Sequence, residues 1–270
     1  MDQVGIIVGV IAGIAAAVLF GRRPVAAGAS PWSRAGRLAV IALAAAVAGG
    51  VTSGAMHYFL ATPSAGNAAD RAVKELLGTP LLRLVVAEHP EIQTRMRDAI
   101  ETELRSPTPQ GPKRPFLLGQ QIRQQYINPV LMRADDRSAL AAIQKSRDLA
   151  AYLQKTNVAL CRDFGVTGMQ QWDKLDRIGQ DIYQQMLSAQ EEAYKNGKAA
   201  AARPSPPDEE IGKALVEAGY SPAEIEKLTT IESLPAAEAC AATVRLYGAP
   251  FSLPVPRGAL LARALLTVDS

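Results

Sequence analysis

The chain has 270 residues, 48% hydrophobic, 20% charged and 5% aromatic, enough apolar material for a sizeable core but poor in the residues that β-sandwiches favour. Its formal net charge of +3 sits entirely in residues 1–60, where Arg22, Arg23, Arg34 and Arg37 face the single acid Asp2; residues 61–270 balance 25 Lys and Arg against 25 Asp and Glu. A basic surface for nucleic acid is therefore not expected.

Two histidines and two cysteines, His57, His89, Cys161 and Cys240, show none of the short paired spacings of zinc, haem or iron–sulfur sites. Phosphate-cradling, nucleophile-elbow, HExxH and dinucleotide-binding glycine patterns are also missing from the sequence. No cofactor, metal or catalytic residue is expected.

In chain order, Val4 to Phe20 is a continuous apolar run at the short end of what spans a hydrocarbon core, and Leu38 to Ala61 is a longer one without a charge. The pattern predicts a two-helix membrane anchor over residues 1–61, with spans at about 4–20 and 38–61 and a loop at 21–37. A cleaved secretory signal competes for the first run, but MDQV lacks the positive start that such a signal uses. Arg22, Arg23, Arg34 and Arg37 all lie in the loop, which places it on the cytoplasmic side of a bacterial inner membrane and residues 62–270 in the periplasm.

Small residues recur every fourth position in both runs: Gly5, Gly9, Gly13 and Ala17, then Ala42, Ala46, Gly50 and Gly54. Each set lays a smooth stripe along a helix, and such stripes drive close packing in lipid. Packing within the hairpin competes with docking of a partner or a second copy. Neither run offers a central acid or base for transport, and His57, followed by Tyr58 and Phe59, reads as an interfacial residue.

Residues 62–105 read as a helical connector. One helix opens near Asn67 and breaks near Gly78, Thr79-Pro80 starts a second, and His89-Pro90 ends it and starts a third. His89 reads as a cap or turn residue. SPTPQGPKRP at 106–115 carries four prolines and reads as a linker without regular structure.

Residues 116–198 are expected to form an antiparallel pair of long helices. Phe116 to Tyr126 is a helix interrupted by Pro129, and Asp135 or Asp136 caps a long helix running to Gly165. A partner helix starts near Thr167, buries Met169, Trp172, Leu175, Ile178, Ile182, Met186 and Ala193 on one broad face, and stops at Asn196-Gly197. A second linker covers 199–207, and short helices occupy 208–270, including a capping box at Ser221 and Glu224. The fold class is all-α: an N-terminal transmembrane hairpin and then a helical-bundle domain.

Cys161 and Cys240 both fall on apolar helix faces and form a disulfide if the domain is periplasmic; the alternative is two separate buried thiols. Asp173, Asp176 and Asp181 beside Trp172 are the carboxylates available for acid–base hydrolysis, although Asp173 and Arg177 read as a helix-surface pair. Glutamine is dense at Gln120, Gln121, Gln124, Gln125, Gln170, Gln171, Gln180, Gln184 and Gln185, giving uncharged polar faces that suit protein contacts or plain solvation. The expected function is a membrane-anchored interaction protein, a scaffold or accessory subunit of an envelope complex. Its partners are the lipid bilayer and other membrane or periplasmic proteins, or its own copies. A ligand-sensing helical domain and a membrane-tethered hydrolase are the alternatives.

Overall fold

The computed structural model describes residues 65–106, 113–169 and 171–267. The apolar runs, their small-residue stripes and the arginine loop lie outside the described residues, as does most of the first proline-rich segment. Every regular element among the described residues is helical, so the all-α class holds there. No helix among them is long and apolar enough to cross a membrane.

The first three helices are α1 (Ala65–Leu76), α2 (Pro80–Glu88) and α3 (Glu91–Arg105). In α1 the buried positions Ala68, Ala69, Ala72, Val73 and Leu76 repeat every three to four residues, which lays one apolar stripe along the helix. Thr79 occupies the N-cap position of α2 without a side-chain cap bond, and Pro80 fills the first turn. His89 is the C-cap of α2, its N–H donating to the Val85 carbonyl. It is thus a terminating residue, as the sequence suggests, and its ring also lies 4.4 Å from that of Tyr126.

Helix α4 (Lys113–Ile122) begins inside the segment expected to be irregular. Pro115 falls in its first turn, where the missing N–H costs nothing. Pro129 is not a simple interruption. The chain passes through a π-helical turn, Arg123–Ile127, with Asn128 N–H donating to the Arg123 carbonyl, and continues as α5 (Asn128–Leu131). That turn sets Arg123 inside the protein, where its guanidinium donates to the Leu266 carbonyl at the C-terminal end of α12 (Val255–Thr267). A cation there meets the negative end of the helix dipole.

The centre of the molecule is α6 (Asp136–Thr156), capped by the Asp135 carboxylate, which accepts from Ser138 N–H at 2.6 Å. Its buried residues include Ala142, Ile143, Ser146, Leu149, Ala150 and Leu153, which recur every three to four positions and form one broad face. Four helices surround it: α7 (Val158–Thr167), α8 (Arg177–Ala199), α11 (Ala236–Gly248) and α12. Small alanines on α6 let these neighbours approach closely.

Helices α6 and α8 run antiparallel, since Lys145 reaches Gln185 while Tyr152 reaches Asp176. They are not joined by a tight turn. The expected continuous helix to Gly165 breaks at Asn157, whose side chain accepts from Leu160 N–H and starts α7; an asparagine oxygen that satisfies a free N–H favours a new start over continuation. Helix α7 ends at Gly168 (φ 82°), a conformation suited to glycine. A short 3₁₀ turn, Trp172–Lys174, precedes α8, which Asp176 caps.

Two glycines expected to stop helices lie inside them instead. A Cβ on Gly165 would sit 1.9 Å from Thr243 Oγ1, and one on Gly197 would sit 2.0 Å from the Val130 carbonyl oxygen. Both mark close crossings, of α7 with α11 and of α8 with α5. The remaining helices, α9 (Asp208–Glu217) and α10 (Pro222–Leu228), lead back to α11. Gly219 at φ 88° ends α9 with Tyr220 N–H bonded to the Leu215 carbonyl, and the Ser221–Glu224 capping box starts α10 where the sequence predicts it.

Candidate functional site

Cys161 lies on α7 beside the central helix, and Cys240 lies on α11, which packs along α7. Their Cα atoms are 5.2 Å apart and the sulfurs are joined as a disulfide. Both residues are fully buried, with Phe164 and Tyr247 packed nearby at 5.8 Å between ring centroids. The reading of two separate thiols is therefore wrong. The crossing is tight enough to need Gly165 against the Thr243 side chain, so the covalent link and this close contact occur at one junction.

The second feature is the segment from Trp172 to Ile178. Leu175 anchors it in the core, while the Asp176 carboxylate accepts from Gly179 N–H at 2.8 Å and from the Tyr152 hydroxyl at 2.7 and 2.5 Å. The Tyr152 hydroxyl and the Gly179 N–H hold the Asp176 carboxyl below its usual range, and the same bond raises the Tyr152 phenol. The turn is thus fixed at its C-terminal end. It presents Trp172 and Ile178 to solvent, 47% and 55% exposed, where the helical periodicity predicts a buried face. Trp172 is exposed because α8 starts only at Arg177, so that Trp172 belongs to the 3₁₀ turn and does not share the helical register of Met186; Ile178 lies in the first turn of α8, turned away from the face that buries Gly179, Met186 and Gln190.

The three aspartates beside Trp172 are spread over the turn and α8. Asp173 lies in the 3₁₀ turn, Asp176 is committed to capping, and Asp181 is exposed on α8. Asp173 and Arg177 fall on different elements, so they are not the helix-surface pair that four-residue spacing implies. Asp163 on α7 carries no signal in the sequence; partial burial raises its carboxyl, against the opposing pull of Arg162 and Lys174. It stands alone, and no group of three His, Cys, Asp or Glu among the described residues is placed to hold a metal ion.

Of the glutamines, Gln121, Gln124, Gln125, Gln180, Gln184 and Gln185 are exposed, whereas Gln120 is buried. Gln180 folds back on the Leu175 carbonyl and helps to hold the turn. Many charged side chains pair locally on the surface, including Arg257 with Glu210 and Glu217, Arg97 with Asp70 and Glu101, and Arg245 with Glu224. What the described residues offer chemically is a rigid helical body with a few fixed apolar side chains facing outward. Comparison of the chain with protein-family models, curated proteins and solved structures finds no match.

Proposed function

We propose that the chain is a membrane-anchored, periplasmic all-α interaction protein, a scaffold or accessory subunit of a bacterial inner-membrane or envelope complex. The observation that carries this reading is the buried Cys161–Cys240 disulfide. Such bonds persist in oxidising compartments and are rare in the reducing cytoplasm. It supports placing residues 62–270 on the side of the membrane opposite to the Arg22, Arg23, Arg34 and Arg37 loop. The uncharged runs 4–20 and 38–61 then serve as the anchor.

The contact function rests on Trp172 and Ile178. Large apolar side chains held outward by a fixed turn lose little freedom on binding, and tryptophan is enriched among the residues that dominate interface energetics. The test is purification of the full-length protein from its native membrane in mild detergent, with mass spectrometry of what accompanies it and light scattering of the particle. A companion protein at fixed ratio is expected, and Trp172→Ala combined with Ile178→Ala should reduce its recovery at least tenfold without lowering the melting temperature. A bare monomer would overturn the reading. The compartment has its own check: alkylation of Cys161 and Cys240 in denatured, unreduced cell extracts is expected to fail.

A further inference from the structure

Between α8 and α9, residues 200–207 form an extended strap that no other described connection resembles. Ala201 to Ser205 are all exposed. Ala200 closes α8 with its N–H on the Gly197 carbonyl, and the Pro207 carbonyl accepts from Glu210 and Ile211 at the start of α9. From Ala201 to Pro206 no main-chain group is hydrogen-bonded among the described residues. Ala200 (φ −95°, ψ 154°) and Pro207 (φ −63°, ψ 150°) are extended, and Pro204 and Pro206 restrict the backbone between them. Other described turns have their main chain engaged, among them Leu77 to Thr79, Lys174 to Leu175, Gly219 to Tyr220 and Thr229 to Leu234.

Endopeptidases bind substrate as an extended strand through its main-chain groups, so an exposed, extended segment without hydrogen bonds is already close to the bound form. Its sequence, Ala199-Ala200-Ala201-Ala202-Arg203-Pro204, supplies small side chains on the N-terminal side of several bonds. The strap also lies within the loop closed by Cys161 and Cys240, which are 79 positions apart. A cut there opens the chain without detaching either part.

We propose that this strap is a proteolytic nicking site for an endopeptidase whose specificity pocket takes alanine, and that the protein then persists as two chains joined by Cys161–Cys240. Water adds across an Ala–Ala amide such as Ala201–Ala202, leaving a carboxylate on one alanine and an ammonium on the next; no electrons move and the disulfide is untouched. Helices α9 to α12 stay in place, because α12 packs on α6 and Arg263 is bonded to Asp136 and the Ala134 carbonyl.

The experiment is brief treatment of the full-length protein, in detergent, with pancreatic elastase as the probe. Mass spectrometry should find new N termini between Ala201 and Arg203, and the C-terminal piece should separate in denaturing electrophoresis only after reduction. Ala201→Pro with Ala202→Pro should slow this cut at least tenfold at an unchanged melting temperature. Three results would each overturn the proposal: earliest cleavage elsewhere in residues 65–267, a C-terminal piece freed without reductant, or resistance of the strap over a period in which heat-unfolded protein is fully digested.

Discussion

Gly165 and Gly197 are the residues at which side-chain size matters most. The Cβ introduced by Gly165→Ala meets the Thr243 hydroxyl, Cβ and methyl group, and that of Gly197→Ala meets the Val130 main chain, which cannot rotate away. Overpacking of this kind costs about 1–3 kcal/mol, and Gly197→Ala should be the worse of the two. Gly119 on α4 is the control: nothing lies within 4 Å of its would-be Cβ, so Gly119→Ala should gain up to about 1 kcal/mol from helix propensity. Chemical denaturation of the three variants orders them, and equal effects at all three sites would contradict the packing argument. Glu224 sets a different dependence. Hydrogen bonds from Arg245 and from the Ser221 main chain hold its carboxyl down at about 2. Lowering a carboxylate's folded pKa adds stability that is complete above the unfolded value and is lost as pH falls towards the folded one. Between about pH 4.5 and 2, Glu224→Gln should therefore unfold with a shallower pH dependence than the parent.

Helix existence is legible in the sequence to a greater degree than helix extent, and the two differ for physical reasons. Apolar repeats locate α1, α2, α3, α6 and α8, and the Thr79-Pro80 and Ser221–Glu224 starts can be read directly because capping is a local property. Asn157 is invisible as a boundary, since the apolar period continues through it to Leu160 and Phe164 while the backbone does not. Gly165 and Gly197 mislead for the opposite reason: glycine reads as a stop, but its use here is decided by neighbours from α11 and α5 that local sequence cannot reveal. Trp172 falls on the wrong face once α8 is begun too early. The cysteine pairing is legible, because both residues sit on apolar stripes, whereas the exposed turn at Trp172 is hidden by the same apolar period. Asn157→Ala tests the capping account directly. Loss of the Leu160 N–H partner should cost about 1 kcal/mol and raise amide exchange across the first turn of α7, with little change in the middle of α6.

At the scale of the whole molecule, the disulfide determines how the C-terminal third is held. The closed loop from Cys161 to Cys240 contains α8, the strap, α9 and α10, so the link restricts the unfolded chain over a long contour. On the chain-entropy account a loop of this length contributes roughly 4–5 kcal/mol, a large part of the ~5–15 kcal/mol typical of a folded domain. Its native contribution is local by comparison, because α7 and α11 already pack closely through Gly165 and Thr243. The two effects separate experimentally. Cys161→Ala with Cys240→Ala should lower unfolding free energy by several kcal/mol, while far-ultraviolet circular dichroism at low temperature stays that of the parent. Changes should appear mainly as faster unfolding of α9 to α12 by hydrogen exchange, where α7 no longer restrains them covalently. A double variant that keeps its parent stability would show that close packing alone holds this junction, and the link would then have no energetic role in the fold.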